Sequence, residues 1–256
     1  MRNITVRIMV LALLFGLVKY AVAEPDPQTG KVTMKSMTVA ELEKAGDESR
    51  AQKDYRQAMQ YFQAALNKEP KNAVVYNKMG MTALKVDDLR SARYYFQRAA
   101  KLNPKYAEAL NNIGAVEFTQ RNYGAAAKYF KKAVALQETS ATFHVNLGAA
   151  WFHQNKLEGA IAEYARALEL DPYVLTESSR VGSVAQASTP EERAKYSYML
   201  AKIYARQGKV DECLRCLRRA KEEGYHDLAN VYKDEEFASL RGDARLSEVI
   251  APPAAK

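Results

Sequence analysis

Four glycines, Gly46, Gly80, Gly114 and Gly148, stand 34 residues apart. The same interval links Ala58, Ala92, Ala126 and Ala160, then Phe62, Phe96, Phe130 and Tyr164, then Ala65, Ala99, Ala133 and Ala167. Three of the four units close on a proline (Pro70, Pro104, Pro172), and Glu138 stands at the fourth place. Small and aromatic residues in fixed columns at this period specify a helix–turn–helix repeat whose copies stack.

The columns follow from packing. Residues three, four and seven apart share one face of a helix. In the second unit Tyr76, Met79, Gly80 and Ala83 form one such stripe, and Leu89, Ala92, Phe96 and Ala99 form another. Glycine and alanine let two antiparallel helices approach, and the aromatic of the second helix fills the space beside them. A lone pair leaves apolar surface uncovered, so pairs must stack.

These columns, running from Val39 to Pro172, resemble the tetratricopeptide repeat family. The resemblance implies an all-α, right-handed solenoid of antiparallel helix pairs that binds protein partners. The repeats are expected at 39–72, 73–106, 107–140 and 141–174. Ser49 and Glu117 depart from the pattern, since the family usually has a large apolar residue at that place, and looser packing is expected there.

A fifth, degenerate unit is expected at 194–227, where Leu200, Ala201, Tyr204, Gly208, Cys213, Leu217 and Ala220 match the columns after an inserted loop at 175–193. The centre of that loop, 176–188, has no helical stripe. Helix restarts at Thr189-Pro190-Glu191-Glu192, where threonine and Glu192 form a capping box and proline suits the first helical position. Thr38 and Glu41 repeat that box before the first unit. The tail, 228–256, is expected to cap the last repeat with short helices at 234–240 and 243–250.

Residues 1–23 read as a signal peptide. Arg2 and Arg7 precede an apolar run, 8–18, and Ala21-Val22-Ala23 provides a cleavage site. Residues 24–38 read as a flexible leader. Cleavage and export are expected, to a bacterial periplasm or by secretion, with membrane association only through an uncleaved signal segment. The formal charge of +8 falls to +5 without Arg2, Arg7 and Lys19. Outside the cytoplasm this basicity points away from nucleic acid and to an acidic peptide, lipid headgroups or an envelope polymer, with charge spread over solvated faces for solubility as the alternative.

In the resembled family the first helices line a concave surface that binds extended peptides. Two residues before each glycine lie Lys44, Lys78, Asn112 and Asn146; four after it lie Arg50, Leu84, Phe118 and Phe152; five after it lie Lys85, Thr119, His153 and Arg206 in their units. Asparagine can hold a backbone N–H and C=O together. Lys78, Asn112, Asn146, Phe118, Phe152, Lys85 and Arg206 are therefore the expected groove residues. The carboxylate clamp of some members is absent: at its places stand Asn112, Met81, Thr142 and Asn146.

Cys213 and Cys216 lie three apart on one side of a second helix. A packing role, a disulfide in an oxidising compartment, and a thiol-redox or metal site are the alternatives; no strand precedes the pair as a thioredoxin-type site requires. His144, His153 and His226 are too scattered for a metal triad, and His144 stands in a large-residue column. No nucleophile elbow, zincin or dinucleotide motif occurs. The expectation is a non-enzymatic binding scaffold without cofactor or metal. A structural assembly factor working through its convex face is a further alternative.

Overall fold

The computed structural model describes residues 34–175 and 189–251. The signal segment, most of the leader, the loop centre at 176–188 and the last five residues lie outside them. The chain divides into two compact units, 1–68 and 69–256. All regular structure among the described residues is helical.

The first unit holds one pair, α1 (Val39–Ala51) and α2 (Tyr55–Lys68). Thr38 accepts the Glu41 N–H at 3.3 Å, and the Glu41 carboxylate accepts the Thr38 N–H at 2.7 Å, closing the capping box. Leu42, Gly46, Ala58, Phe62 and Ala65 are buried between the two helices. Ser49 is buried too, and its hydroxyl donates to the Ala45 carbonyl at 2.8 Å. The polar residue is thus satisfied within its own helix.

The second unit begins with three pairs: α3 (Ala73–Lys85) and α4 (Leu89–Leu102), α5 (Ala107–Thr119) and α6 (Tyr123–Leu136), α7 (Ala141–His153) and α8 (Leu157–Leu170). A fourth pair, α9 (Pro190–Arg206) and α10 (Val210–Glu222), follows the insertion. Each glycine of a first helix lies against the aromatic ring of its second helix. A Cβ on Gly80 would stand 2.5 Å from the Phe96 ring, one on Gly114 2.6 Å from Phe130, and one on Gly148 3.2 Å from Tyr164. The rings are fully buried, each contributing roughly 1.5–3 kcal/mol of apolar burial.

The turns within pairs share one device. Lys53, Asp87, Arg121, Asn155 and Gly208 all have φ between 57° and 69°. The next residue's N–H reaches back five residues, as Asp88 to Ala83, Asn122 to Glu117, Lys156 to Trp151 and Lys209 to Tyr204. This is the Schellman ending of a helix, with its left-handed residue occupied by glycine only at Gly208.

Successive first helices of the early pairs lie side by side in phase. Asn112 donates to Asn77 at 3.0 Å and Asn146 to Asn111 at 2.8 Å. The last pair joins differently. The first turn of α9 meets the last turn of α7, where Glu192 lies 3.5 Å from His153 and Lys195 bonds Asn155. Tyr196 wedges between Phe152 and Tyr164, with ring centroids at 5.8 and 5.5 Å. Extending the 34-residue phase does not give this crossing, because the phase sets the partners within a pair and leaves the docking of a displaced pair free.

The tail covers the last pair. It forms 3-10 turns at Leu228–Tyr232 and Glu235–Leu240, then α11 (Ala244–Val249). The first turn was not expected from sequence, being too short to show a period. Val231, Phe237, Leu240, Leu246 and Val249 bury themselves against α9 and α10. Tyr232 donates to the Ile250 carbonyl and Lys221 to the Val249 carbonyl, both at 2.7 Å.

The glycine contacts set a measurable order. Gly114→Leu is expected to lower stability by about 1–3 kcal/mol or more through overpacking. Gly114→Ala also destabilises, while Gly148→Ala, with 0.6 Å more room, stays close to neutral because helix propensity offsets the contact. Thermal unfolding of the three variants checks this; equal midpoints for Gly114→Ala and Gly148→Ala would contradict it.

Candidate functional site

The first helices of the second unit carry the candidate site. On α3 the residues Val74, Lys78, Met81 and Lys85 recur at helical spacing and form one row. Val74 is 43% and Met81 39% exposed, so the row presents two apolar side chains to solvent. Beside this row, on α5, stands half-exposed Asn112, joined to α3 through Asn77. Asn77 is itself buried and donates to the Tyr106 hydroxyl at 3.3 Å.

The other expected groove residues fall elsewhere. Asn146 is only 4% exposed, and its amide nitrogen is engaged by Asn111. Its Oδ1 is buried and accepts no hydrogen bond from the described residues. Phe152 is 6% exposed and packs into the core against Tyr196. Phe118 is half-buried, edge-on to Tyr123 at 5.0 Å and to His153 at 5.2 Å. Arg206 is exposed but pairs with Glu236 of the tail at 2.6 Å, next to Lys202, which pairs with Asp234 at 2.9 Å. Lys78, Lys85 and Asn112 are therefore brought together, while Asn146, Phe152 and Arg206 serve packing and the tail.

Residues not singled out from sequence complete the picture. Asn77 and Asn111 form their own column, one place before Asn112 and Asn146, and that adjacency was the available signal. Glu117 is buried and holds Arg93 at 3.0 Å and the Asn122 side chain at 3.0 Å. Arg93 also bonds Gln120. The polar residue expected to loosen its repeat thus ties α4 to the α5–α6 turn. Buried His144 does comparable work, with Nδ1 2.5 Å from Glu163 and Nε2 3.0 Å from the Glu138 carbonyl.

A family model described as Tetratricopeptide repeat matches residues 77–141 and 117–174, and a second of the same description matches 194–223. Together they span half of the chain. The chain belongs to the tetratricopeptide repeat family. Among solved structures it is similar to the MamA protein, at 19% identity over 77% of this chain and 95% of that one, with a TM-score of 0.52. It is also similar to MamA 41-end from Desulfovibrio magneticus RS-1, at 19% identity over 73% and 95%, again with a TM-score of 0.52. At such identities the likeness is one of fold. No curated protein sequence matches.

The tetratricopeptide fold serves protein–protein interaction, and its members are typically scaffolds. The cysteines show no activation. Burial pushes the Cys213 thiol up to about 12, with the neighbouring Cys216 adding to the effect, and burial pushes Cys216 up to about 11. Both are free thiols. The disulfide considered for them is not formed: side chains three apart on an intact helix have Cβ atoms about 5–6 Å apart, beyond disulfide reach. Among the described residues no cluster of His, Cys, Asp and Glu could hold a metal ion.

Two outcomes follow. Cys213 and Cys216 should resist a thiol reagent at pH 8 in the native protein and react fully in denaturant; rapid native reaction of either would revive the redox reading. His153, stacked on Tyr123 at 4.6 Å, has its pKa held below 6.5 chiefly by burial, against the opposing pull of Glu192. A base with a depressed folded pKa costs stability as pH falls from 6.5 through the folded value. The melting temperature should therefore drop over that window, and His153→Gln should flatten the drop.

Proposed function

We propose that this protein is an exported, non-enzymatic scaffold of the bacterial cell envelope that holds an extended segment of a partner protein along the first helices of its repeats. The observation that carries the reading is the row of exposed Val74, Met81 and Lys85 with half-buried Lys78, beside Asn112. The apolar pair offers contact area, the lysines favour an acidic neighbour, and Asn112, whose amide nitrogen bonds Asn77, carries an amide oxygen that can accept a backbone N–H. In this reading Asn146 ties α7 to α5 through Asn111, and Phe152 packs in the core against Tyr196. Export rests on the charged, apolar and small-residue segments of 1–23.

A photo-crosslinking side chain at Met81 should capture a partner from envelope extract, and one at Arg215 on α10 should not. With that partner, Met81→Ala and Asn112→Ala should each raise the dissociation constant about tenfold, as expected for losing a buried apolar contact or a backbone hydrogen bond. Far-UV circular dichroism should stay unchanged. Capture from Arg215 alone would overturn the assignment of the face. Sequencing the mature N-terminus should give Glu24; a chain retaining Met1 would overturn cleavage.

A further inference from the structure

The second helices of the first two pairs in the second unit differ in charge from all that follows. From Leu89 to Ala107 the chain carries Arg90, Arg93, Arg98, Lys101 and Lys105 and no carboxylate. From Phe118 to Gln137 it carries Arg121, Lys128, Lys131 and Lys132 and again none. The exposed row of α4 is Arg90, Tyr94, Gln97 and Lys101, and that of α6 includes Lys128, Lys131, Lys132 and Ala135. On α8 the matching row is Glu158, Ala162, Arg166 and Glu169, and Arg166 pairs with Glu169 at 2.9 Å. Within the second unit the basic surface therefore ends at α8, whose row carries both signs, where charge serving solubility alone would continue along the later second helices; α2 of the first unit also holds Arg56 and Lys68 and no carboxylate. Ala100 of α4 and Tyr129 of α6 pack against the same buried cluster around Ala107 and Leu110, which brings the two helices together. The Glu117 carboxylate pairs with Arg93 at 3.0 Å, and Asp87 and Asp88 stand at the turn before α4, where Asp88 accepts the Ser91 N–H at 3.0 Å.

We propose that the outer faces of α4 and α6 form a second docking surface, for an acidic segment of another protein. Charge complementarity identifies the partner's chemistry, and the manner of display favours a protein over a lipid bilayer. Several cations are held in place by the fold: the Arg98 guanidinium lies 5.6 Å from the Tyr76 ring centre, the Lys132 ammonium 5.8 Å from that of Tyr129, and Glu117 and Gln120 hold Arg93. Tyr94 is 54% exposed and stands edge-on to Tyr95 at 5.3 Å. Arginine and tyrosine are the side chains enriched where proteins meet. Leu136 is the one exposed large aliphatic side chain on these two helices, so there is no apolar stripe to enter lipid. This face is separate from the row on α3. A scaffold with both would hold one partner along its first helices and an acidic one on its outer side.

The test uses a fluorescent peptide rich in Asp and Glu, titrated into the mature protein at low salt. Binding is expected, weakening steeply with ionic strength. Lys101→Glu with Lys128→Glu should raise the dissociation constant about tenfold or more, and Arg215→Glu with Arg218→Glu, the same change of net charge on α10, about twofold at most. Asn112→Ala should leave the affinity unchanged, which separates this face from the first-helix row. Equal weakening by both charge-reversal pairs, loss of binding in Asn112→Ala, or no binding at low salt would each overturn the proposal. So would a Lys101- and Lys128-dependent adsorption to anionic phospholipid vesicles that the peptide does not compete.

Discussion

A ring pressed against a missing side chain holds each of the first four pairs together. With Phe96 on Gly80 and Phe130 on Gly114, the second helix sits closer than any Cβ would allow. That closeness sets the face each helix turns outward, and so which residues are left to neighbours and to solvent. Tyr164 sits farther from Gly148, and this is also the pair that accepts Tyr196 from across the insertion. The one slack contact thus lies in the pair that receives the helix following the insertion.

Buried polar groups then lock pair to pair. Asn77 with Asn112, Asn111 with Asn146, and Glu117 with Arg93 and Asn122 all join successive repeats through directional bonds. Such bonds contribute little net stability, about 0.5–1.5 kcal/mol each, but leaving one partner unpaired is costly. Their effect is to fix the register of neighbouring helices, which a row of alanines alone would leave loose. At the far end Tyr198 donates to Asp234 at 2.9 Å, so the tail receives the last first helix with the same kind of contact.

The fold was legible in the chain because the glycine–ring contact repeats at a constant interval and each contact lies within one pair. Capping boxes at Thr38 and Thr189 were legible for the same reason, being local. The candidate site was read less well. Asn112 and Asn146 occupy one column, yet Asn112 keeps a surface and Asn146 does not, a difference that the repeat period does not report. The exposure of Met81 and Val74 depends on what covers α3, which no periodicity reports. The left-handed turn column was hidden in the sequence, since Lys53, Asp87, Arg121 and Asn155 stand where glycine would have announced it.

The central claim is that ring and glycine act as one interaction. A double-mutant cycle between Gly114→Ala and Phe130→Leu measures this directly, since the smaller side chain makes room for the added methyl. The account predicts that Phe130→Leu costs less in the Gly114→Ala background than in the native protein, with a coupling of about 0.5–3 kcal/mol. Strictly additive losses would show that the two positions do not share a contact and would contradict it.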